Sequence, residues 1–467
     1  LQIPILNGVY TDNSPDIRTL YPLNLIPVAQ QSGISNGYLK PADGIISNGT
    51  GPGINRGGIN WNDVCYRVMG SKLVSVAEDG TVTTLADVET DSQLVSMDYS
   101  FDRLAVASNS KLFYWDGTTL TEVTDSDLGT VVDMIWIDGY FMTTDGENLV
   151  VTELADPTQV SPTKYAGSEL DPDPIVALLK LRNEAYALNR YTIEVFTNIG
   201  GSGFPFAPVE GAQIQKGCVG THACCVYMES IAFLGGSRNE QPCVYLGSNG
   251  NTAKISTREI DLIIETYSEA ELATVKMEAR NDKDNQLLYI HLPNITLVYD
   301  AAASRLLGGP VWHRLSSTLD GSGPYRGKNL VYAYEKWLVG DIQTFGVGYL
   351  DDIKSEHWGE KVGWEFGTSI VYNEANGAIF SELELISLTG RIELGKSPVI
   401  TTSYSLDGQA WSQDYRIEAG TLGDRQKRLA WRRQGFMRNF RVQRFQGDSD
   451  AHLSFARLEA QLEPMAR

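Results

Sequence analysis

What this chain has little of narrows it first. Histidine and cysteine each occur only five times in 467 residues. The histidines (His222, His291, His313, His357, His452) are scattered, and no Gly-x-Ser-x-Gly, His-Glu-x-x-His or P-loop pattern occurs. The common signatures of serine hydrolases, zinc proteases and nucleotide-binding enzymes are therefore missing. The odd cysteine count lacks Cys-x-x-Cys spacing, which points to reduced thiols and manufacture inside a cell. No apolar run approaches the roughly eighteen residues that a membrane-spanning helix needs. The opening Leu-Gln-Ile-Pro-Ile-Leu has neither a basic flank nor a cleavage pattern, so no secretory signal is expected there. Positive charge is short too: 38 Lys and Arg stand against 58 Asp and Glu, a formal net charge of −20. Duplex affinity comes mainly from neutralising phosphates with cations. This composition suits a surface that nucleic acid passes without sticking.

What is present is glycine, 45 residues of it, within a 42% hydrophobic composition, the mark of an ordered, turn-rich β protein. Residues 1 to 56 show little periodicity and carry the turn signals Asn7-Gly8, Asn36-Gly37, Asp43-Gly44 and Asn48-Gly49. They read as an extended arm lying against another part of the protein or against a neighbour. From Tyr66 short strands alternate with tight turns such as Asp79-Gly80 and Asp116-Gly117. Sets of strands open near Tyr66, Leu94, Val132, Ile175, Ile231, Leu287 and Val331. Seven starts, mostly about forty residues apart, predict a β-propeller of six or seven blades over 57–352, because a small sheet with two apolar faces must stack on neighbours. Longer strands after residue 365 (Ala378 to Ile386, Pro398 to Ser405, Met437 to Phe445, His452 to Leu462) predict a separate C-terminal β-sandwich over 365–467.

One stretch breaks the strand pattern. Ser256-Thr-Arg-Glu259 reads as a capping box, followed by Ile260, Ile263, Ile264 and Tyr267 at helical spacing. Ser268-Glu-Ala-Glu271 repeats the box ahead of Leu272 and Val275. Two short helices in an all-β context, near 256–279, read as an inserted contact element, with Ile260, Ile263, Ile264, Tyr267 and Leu272 as a candidate interface between protomers.

Chemical constellations are thin. Asp351-Asp352 and Asp171 with Asp173 sit in turn-like sequence and read as solvated turn carboxylates. Cys218, His222, Cys224 and Cys225 form the one metal-like cluster. Their spacing fits no common zinc site, and a strand through them would send Cys224 and Cys225 to opposite faces. No catalytic residue, metal or cofactor is assigned. Ser405-Leu-Asp407-Gly408-Gln-Ala-Trp411 resembles the Asp-box hairpin of sialidases, a structural turn. The one basic patch gathers Arg425, Lys427, Arg428, Arg432, Arg433, Arg438, Arg441 and Arg444 around Trp431, Phe436 and Phe440. Cations interleaved with aromatics suit phosphates and bases, but the patch reads first as cationic strand faces or a contact with an acidic partner protein, with Arg428, Arg432, Arg433, Arg438 and Arg441 as the candidate partner-facing residues.

Several segments, in order, carry a family resemblance: Tyr21-Pro-Leu-Asn24, Gly37-Tyr-Leu39, Tyr66-Arg-Val68 with Gly70, Arg190 to Phe196, Gly203-Phe-Pro-Phe206, Gln215-Lys-Gly217, Ile255-Ser-Thr257, Thr296 to Asp300, Trp312-His-Arg314, Ser405 to Trp411, and Arg428 to Trp431 with Arg441-Val442. Together they resemble the tail-hub or nozzle proteins of short-tailed bacteriophages, also called packaged-DNA-stabilisation proteins. Ala301 to Pro310 is longer than the resemblance leads one to expect, and Gln409 stands where it expects a second glycine. The resemblance implies a virion tail protein, not an enzyme, assembled in host cytoplasm into a six-fold ring beneath the portal and its adaptor ring. Such a ring carries tailspikes or fibres, is closed by a needle or its own gate, and conducts DNA without sequence-specific binding. Two other classes remain open: a propeller glycosidase or depolymerase acting on host polysaccharide, which would need facing carboxylates across a cleft, and a monomeric peptide-binding propeller.

Overall fold

Glycine, asparagine and aspartate punctuate this sequence every few residues, so its apolar runs are too short for anything but small meanders. In the computed structural model the described residues are 1–6, 21–30, 33–168, 171–283, 285–372, 376–390, 392–407 and 410–465. Their strands build seven four-stranded antiparallel sheets and two larger ones. We call the four-stranded sheets A to G. Their first strands are Asn55–Trp61, Ser96–Tyr99, Asp133–Ile137, Ile175–Leu181, Cys224–Tyr227, Lys276–Asp282 and Gly327–Ala333. Each first strand packs against the first strand of the next sheet, and that of G packs against that of A. Apolar side chains fill the spaces between sheets, for example Val68, Leu104, Val106 and Phe113 between A and B. The tight turns fall where the sequence puts them: Gly80 and Gly117 have φ of 87° and 96°, and Asp116 accepts hydrogen bonds from the amides of Thr118 and Thr119.

Sheet G takes its fourth strand, Gly44–Thr50, from the other end of the chain, paired antiparallel with Gly346–Asp351. The Asn48-Gly49 turn signal lies inside this strand. Register shifts between Val347 and Gly348, with Asn48 as the extra residue, so the dipeptide makes a β-bulge there. A Cβ on Gly49 would strike the carbonyl of Gly80 in the sheet A turn, so close backbone approach requires glycine.

The C-terminal region has two sheets. The seven-stranded one combines Ala378–Ser387, Leu429–Arg432, Phe436–Met437 and Phe455–Pro464 with Gln2–Ile3, Leu25–Ala29 and Gly37–Pro41. The five-stranded one contains Gly363–Gly367, Val371–Tyr372, Val399–Ser405, Tyr415–Glu418 and Phe440–Asp448. Trp364, Phe366, Phe380, Phe445 and Phe455 share one buried core, the arrangement of a sandwich.

The described strands of residues 1 to 56 pair with other parts of the protomer: Gln2–Ile3, Leu25–Ala29 and Gly37–Pro41 join the seven-stranded sheet, Gly44–Thr50 joins sheet G, and Asn55 and Arg56 open sheet A, because each sheet offers hydrogen bonds that an extended segment satisfies. The Asn7-Gly8 signal lies outside the described residues. One expectation needs correcting, and it concerns helix. α1 (Arg258–Glu265) and α2 (Glu269–Leu272) follow the expected stretch, but a third, α3 (Ala301–Leu307), occupies the segment that looked like an overlong linker. Asp300 caps α3 by accepting from the amides of Ala302 and Ala303, and Gly308 ends it in the left-handed conformation.

Candidate functional site

The segment Tyr21-Pro-Leu-Asn24 shows best how the two halves are fastened. Leu23 exchanges backbone hydrogen bonds with Glu365 of the sandwich, its amide donating to the Glu365 carbonyl at 2.7 Å. One residue on, the Asn24 amide donates to the carbonyl of Arg314, in the last strand of sheet F, at 2.9 Å. The Asn24 side chain completes the joint. Its Nδ2 donates to the carbonyls of Ser316 (2.9 Å) and Gly363 (2.7 Å), and its Oδ1 accepts from the Ser316 amide (3.0 Å). Asn24 is buried at φ 52°, a conformation asparagine tolerates better than most residues. The Tyr21 hydroxyl lies 2.7 Å from Thr257 Oγ1 and donates to Glu259 Oε2 at 3.1 Å, which ties the same segment to the start of α1.

Carboxylates hold the first strands to one another. Asp98 of sheet B accepts from the Trp136 amide of sheet C (2.7 Å), and Asp133 of sheet C accepts from the Leu178 amide of sheet D (2.7 Å). Glu278 of sheet F accepts from the amides of Asn329 (2.8 Å) and Leu330 (3.0 Å) of sheet G. Asn329 then donates to Asn55 Oδ1 of sheet A at 2.6 Å. Burial pushes the Asp133 carboxyl up to about 6 despite its hydrogen bonds. Burial opposes ionisation of Glu278 as well, but Lys276, His291 and two amides outweigh it and hold the carboxyl at about 2. These acids are structural fasteners, each satisfied by the adjoining sheet.

The helical stripe lies against the protomer's own core. Ile260 and Leu272 are 0% and 3% exposed, Ile264 is likewise buried, and all three belong to the apolar cluster of sheets E and F. Ile263 and Tyr267 are partly buried against it. The expected protomer interface at Ile260, Ile264 and Leu272 is thus corrected: an apolar stripe needs a cover, and sheets E and F supply one. The first capping box is also absent. Thr257 is the N-cap without a side-chain cap bond, because Ser256 Oγ donates to Asp261 Oδ1 instead. The second box, Ser268 with Glu271, is present.

The basic patch divides. Arg441 is fully buried, stacked between Phe380 (4.1 Å) and Tyr404 (3.7 Å), with its guanidinium donating to Gln443 Oε1. Burial pushes its pKa down to about 10. It cannot face a partner, which corrects that expectation. Arg428 pairs with Glu384 (2.6 Å) and Glu382 (3.1 Å), and Arg432 lies 3.6 Å from Glu382, so cross-strand acids neutralise both. Arg433 and Arg438 are exposed and make no ion pair among the described residues.

The remaining motifs are structural. Cys218 Sγ donates to the Gly220 carbonyl and Cys224 Sγ to that of Thr221. All five cysteines are free, and no metal-binding group occurs among the described residues. Only Cys224–Tyr227 of the expected strand through the cysteines forms. Asp351 and Asp173 accept backbone amides, and Asp171 and Asp352 pair with Arg238 and Lys283. Ser405 Oγ and the Ala410 amide both donate to Asp407 Oδ1, closing the box turn; Gly408 and Gln409 lie outside the described residues. No described helix is long and apolar enough to cross a membrane.

Two family models cover almost the whole chain: "Bacteriophage P22 Gp10, beta-propeller" over residues 1–355 and "Bacteriophage P22 Gp10, beta-sandwich" over 363–463. The chain belongs to this family. It is a mainly β protein with a β-propeller followed by a β-sandwich. A curated relative, the tail hub protein gp10 of Salmonella phage P22, is 29% identical over 461 residues, 94% of each chain. Among solved structures, the Neurospora crassa Pan2 WD40 domain is similar at TM-score 0.44 with 11% identity, covering 66% of this chain and 94% of that one. The N-terminal domain of Nup159 gives 0.42 and 7%, covering 70% and 98%. Likeness of that degree assigns nothing to this chain.

Proposed function

We propose that this chain is a structural subunit of a bacteriophage tail, not an enzyme, and that it forms the hub or nozzle of a short tail. The observation that carries the reading is the alignment with a tail hub protein through propeller and sandwich alike, over 94% of both chains. Sheets A to G are the seven blades of a ring, closed by the strand Gly44–Thr50. The propeller proper runs from 57 to 352 and the sandwich from 365 to 467, with residues 1 to 56 shared between them. Six copies form a ring beneath the portal and its adaptor ring. The ring retains packaged DNA, holds tailspikes or fibres and a needle, and conducts the genome on ejection. Its formal charge of −20 favours a lumen that repels passing phosphates. Free cysteines suit assembly in the reducing host cytoplasm.

The test is genome retention. Particles assembled without this chain should package DNA and then lose it, and added protein should restore nuclease-resistant genomes. Particles that retain DNA equally well without it would overturn the reading.

A further inference from the structure

Of the cations the sequence gathers near the C-terminus, Arg425 and Lys427 are exposed with no ion pair among the described residues, and so are Arg433 and Arg438. The latter two flank Phe436, which is 41% exposed, and the Arg438 guanidinium lies 5.9 Å from its ring. Phe436 is registered across the strands with Ile379, itself 42% exposed. An apolar pair rimmed by arginines is the composition of an interface centre, where aromatic residues and arginine are enriched. In a chain with twenty more acids than bases, this surface stands out by charge.

Its complement lies on the same molecule. A cleft of about 700 Å³ opens between the loop at Leu319-Asp320 and the edge of the five-stranded sheet. Its apolar lining includes Trp364 and Ile417, and Leu319 at its mouth is 61% exposed. Asp320, Glu365, Asp414, Glu418 and Asp448 line it against one cation, Arg416. The carboxylates of Asp414 and Glu418 are exposed on or beside the edge strand Tyr415–Glu418, which pairs on one side only. A cationic, aromatic projection and an acidic, part-apolar cleft on one chain are two different, complementary patches. They can be matched head to tail, and such contacts close into rings when the rotation allows.

We propose that the occupant of the cleft is a second copy of this chain: residues 433–438 of one protomer, led by Phe436, seat in the acidic cleft of the next. The contact rests on the ring reading above and gives it a specific joint. Arg433 and Arg438 meet Asp414 and Glu418 across it, Phe436 meets the apolar lining, and the patterned charges fix which face of each protomer meets which.

Charge exchange tests it. Two full-length variants are made, Arg433→Glu with Arg438→Glu, and Asp414→Lys with Glu418→Lys, and checked for wild-type thermal unfolding. By light scattering each alone should fall from ring mass to the 51.4 kDa monomer, since like charges then face each other. Mixed in equal amounts they should regain ring mass, because every contact in an alternating ring is again between opposite charges. If wild type forms rings and either variant alone does too, or the mixture stays monomeric, the joint is elsewhere and the proposal falls while the ring stands. If wild type is monomeric alone and on the tail adaptor complex, both readings fall together.

Discussion

Two stretches of this chain look, in sequence, like surfaces waiting for a partner: the helices α1 and α2, and residues 433–438. The first meets its partner inside the protomer, where Ile260, Ile264 and Leu272 complete the apolar core of sheets E and F. The second keeps Arg433, Phe436 and Arg438 in solvent. The difference lies in what each stretch demands. An apolar stripe is satisfied by any apolar neighbour, and a strand-rich chain has many. An arginine is satisfied by a carboxylate at the right register: Glu382 and Glu384 supply that for Arg428 and Arg432, and nothing among the described residues does so for Arg433 or Arg438. In this chain unpaired charge marks an outward surface better than periodicity does.

That contrast can be broken or sharpened. The largest effect should follow deletion of Gly44–Thr50, which strips sheet G of its outer strand and the link between chain ends. Cooperative thermal unfolding, followed by circular dichroism, should disappear. Next, Leu272→Asp buries a carboxylate in the core of sheets E and F and should cost about 4 kcal/mol in urea unfolding. A loss under about 1 kcal/mol would mean that the helix face is uncovered after all.

Acidification should come third. Burial holds His222, His291, His313 and His357 down at about 3 in the folded chain. An unfolded chain takes up these protons near pH 6.5, so the stability they provide is complete above that pH and drains away as pH falls towards 3. Asp133, raised to about 6, acts in the opposite sense, since its ionisation penalty eases below that pH. Four histidines against one aspartate give a net loss of several kcal/mol between pH 7 and pH 5, read as a fall in Tm.

Asn24→Ala removes three hydrogen bonds at the joint and places alanine at a left-handed φ, a loss of about 3 kcal/mol. Asn24→Gly keeps the backbone and should recover about 1 kcal/mol of it. Limited proteolysis between propeller and sandwich should accelerate in the same order. The smallest effect on the monomer belongs to Arg433→Ala with Arg438→Ala, within about 0.5 kcal/mol for each substitution in urea. A large loss there would show that these arginines serve the fold.

Much of the architecture was legible because strands in small sheets are bounded by chemically obvious turns. The hairpins around Asp79-Gly80 and Asp116-Gly117, the last three strands of sheet A and the strands of sheet B followed directly. The first strands of sheets A and F, Asn55–Trp61 and Lys276–Asp282, were not legible as strands. One is glycine-rich, and the other spends its side chains on ion pairs and sheet-to-sheet hydrogen bonds, such as those of Glu278. Helix α3 was hidden because its cap, Asp300, also ends a strand. The joint at Asn24 was visible as a resemblance in Tyr21-Pro-Leu-Asn24, but its role depends on residues nearly three hundred positions or more away, Arg314, Ser316 and Gly363. No local pattern encodes that distance. For the same reason no local pattern marks the carboxylates Asp98, Asp133 and Glu278, whose partners are amides of the adjoining sheets.

The most direct measurement is the mass of the purified chain by light scattering, alone and then with the tail adaptor complex. The account expects a ring of about six copies, formed spontaneously or on the adaptor. A 51.4 kDa monomer that remains single and ignores the adaptor would contradict it.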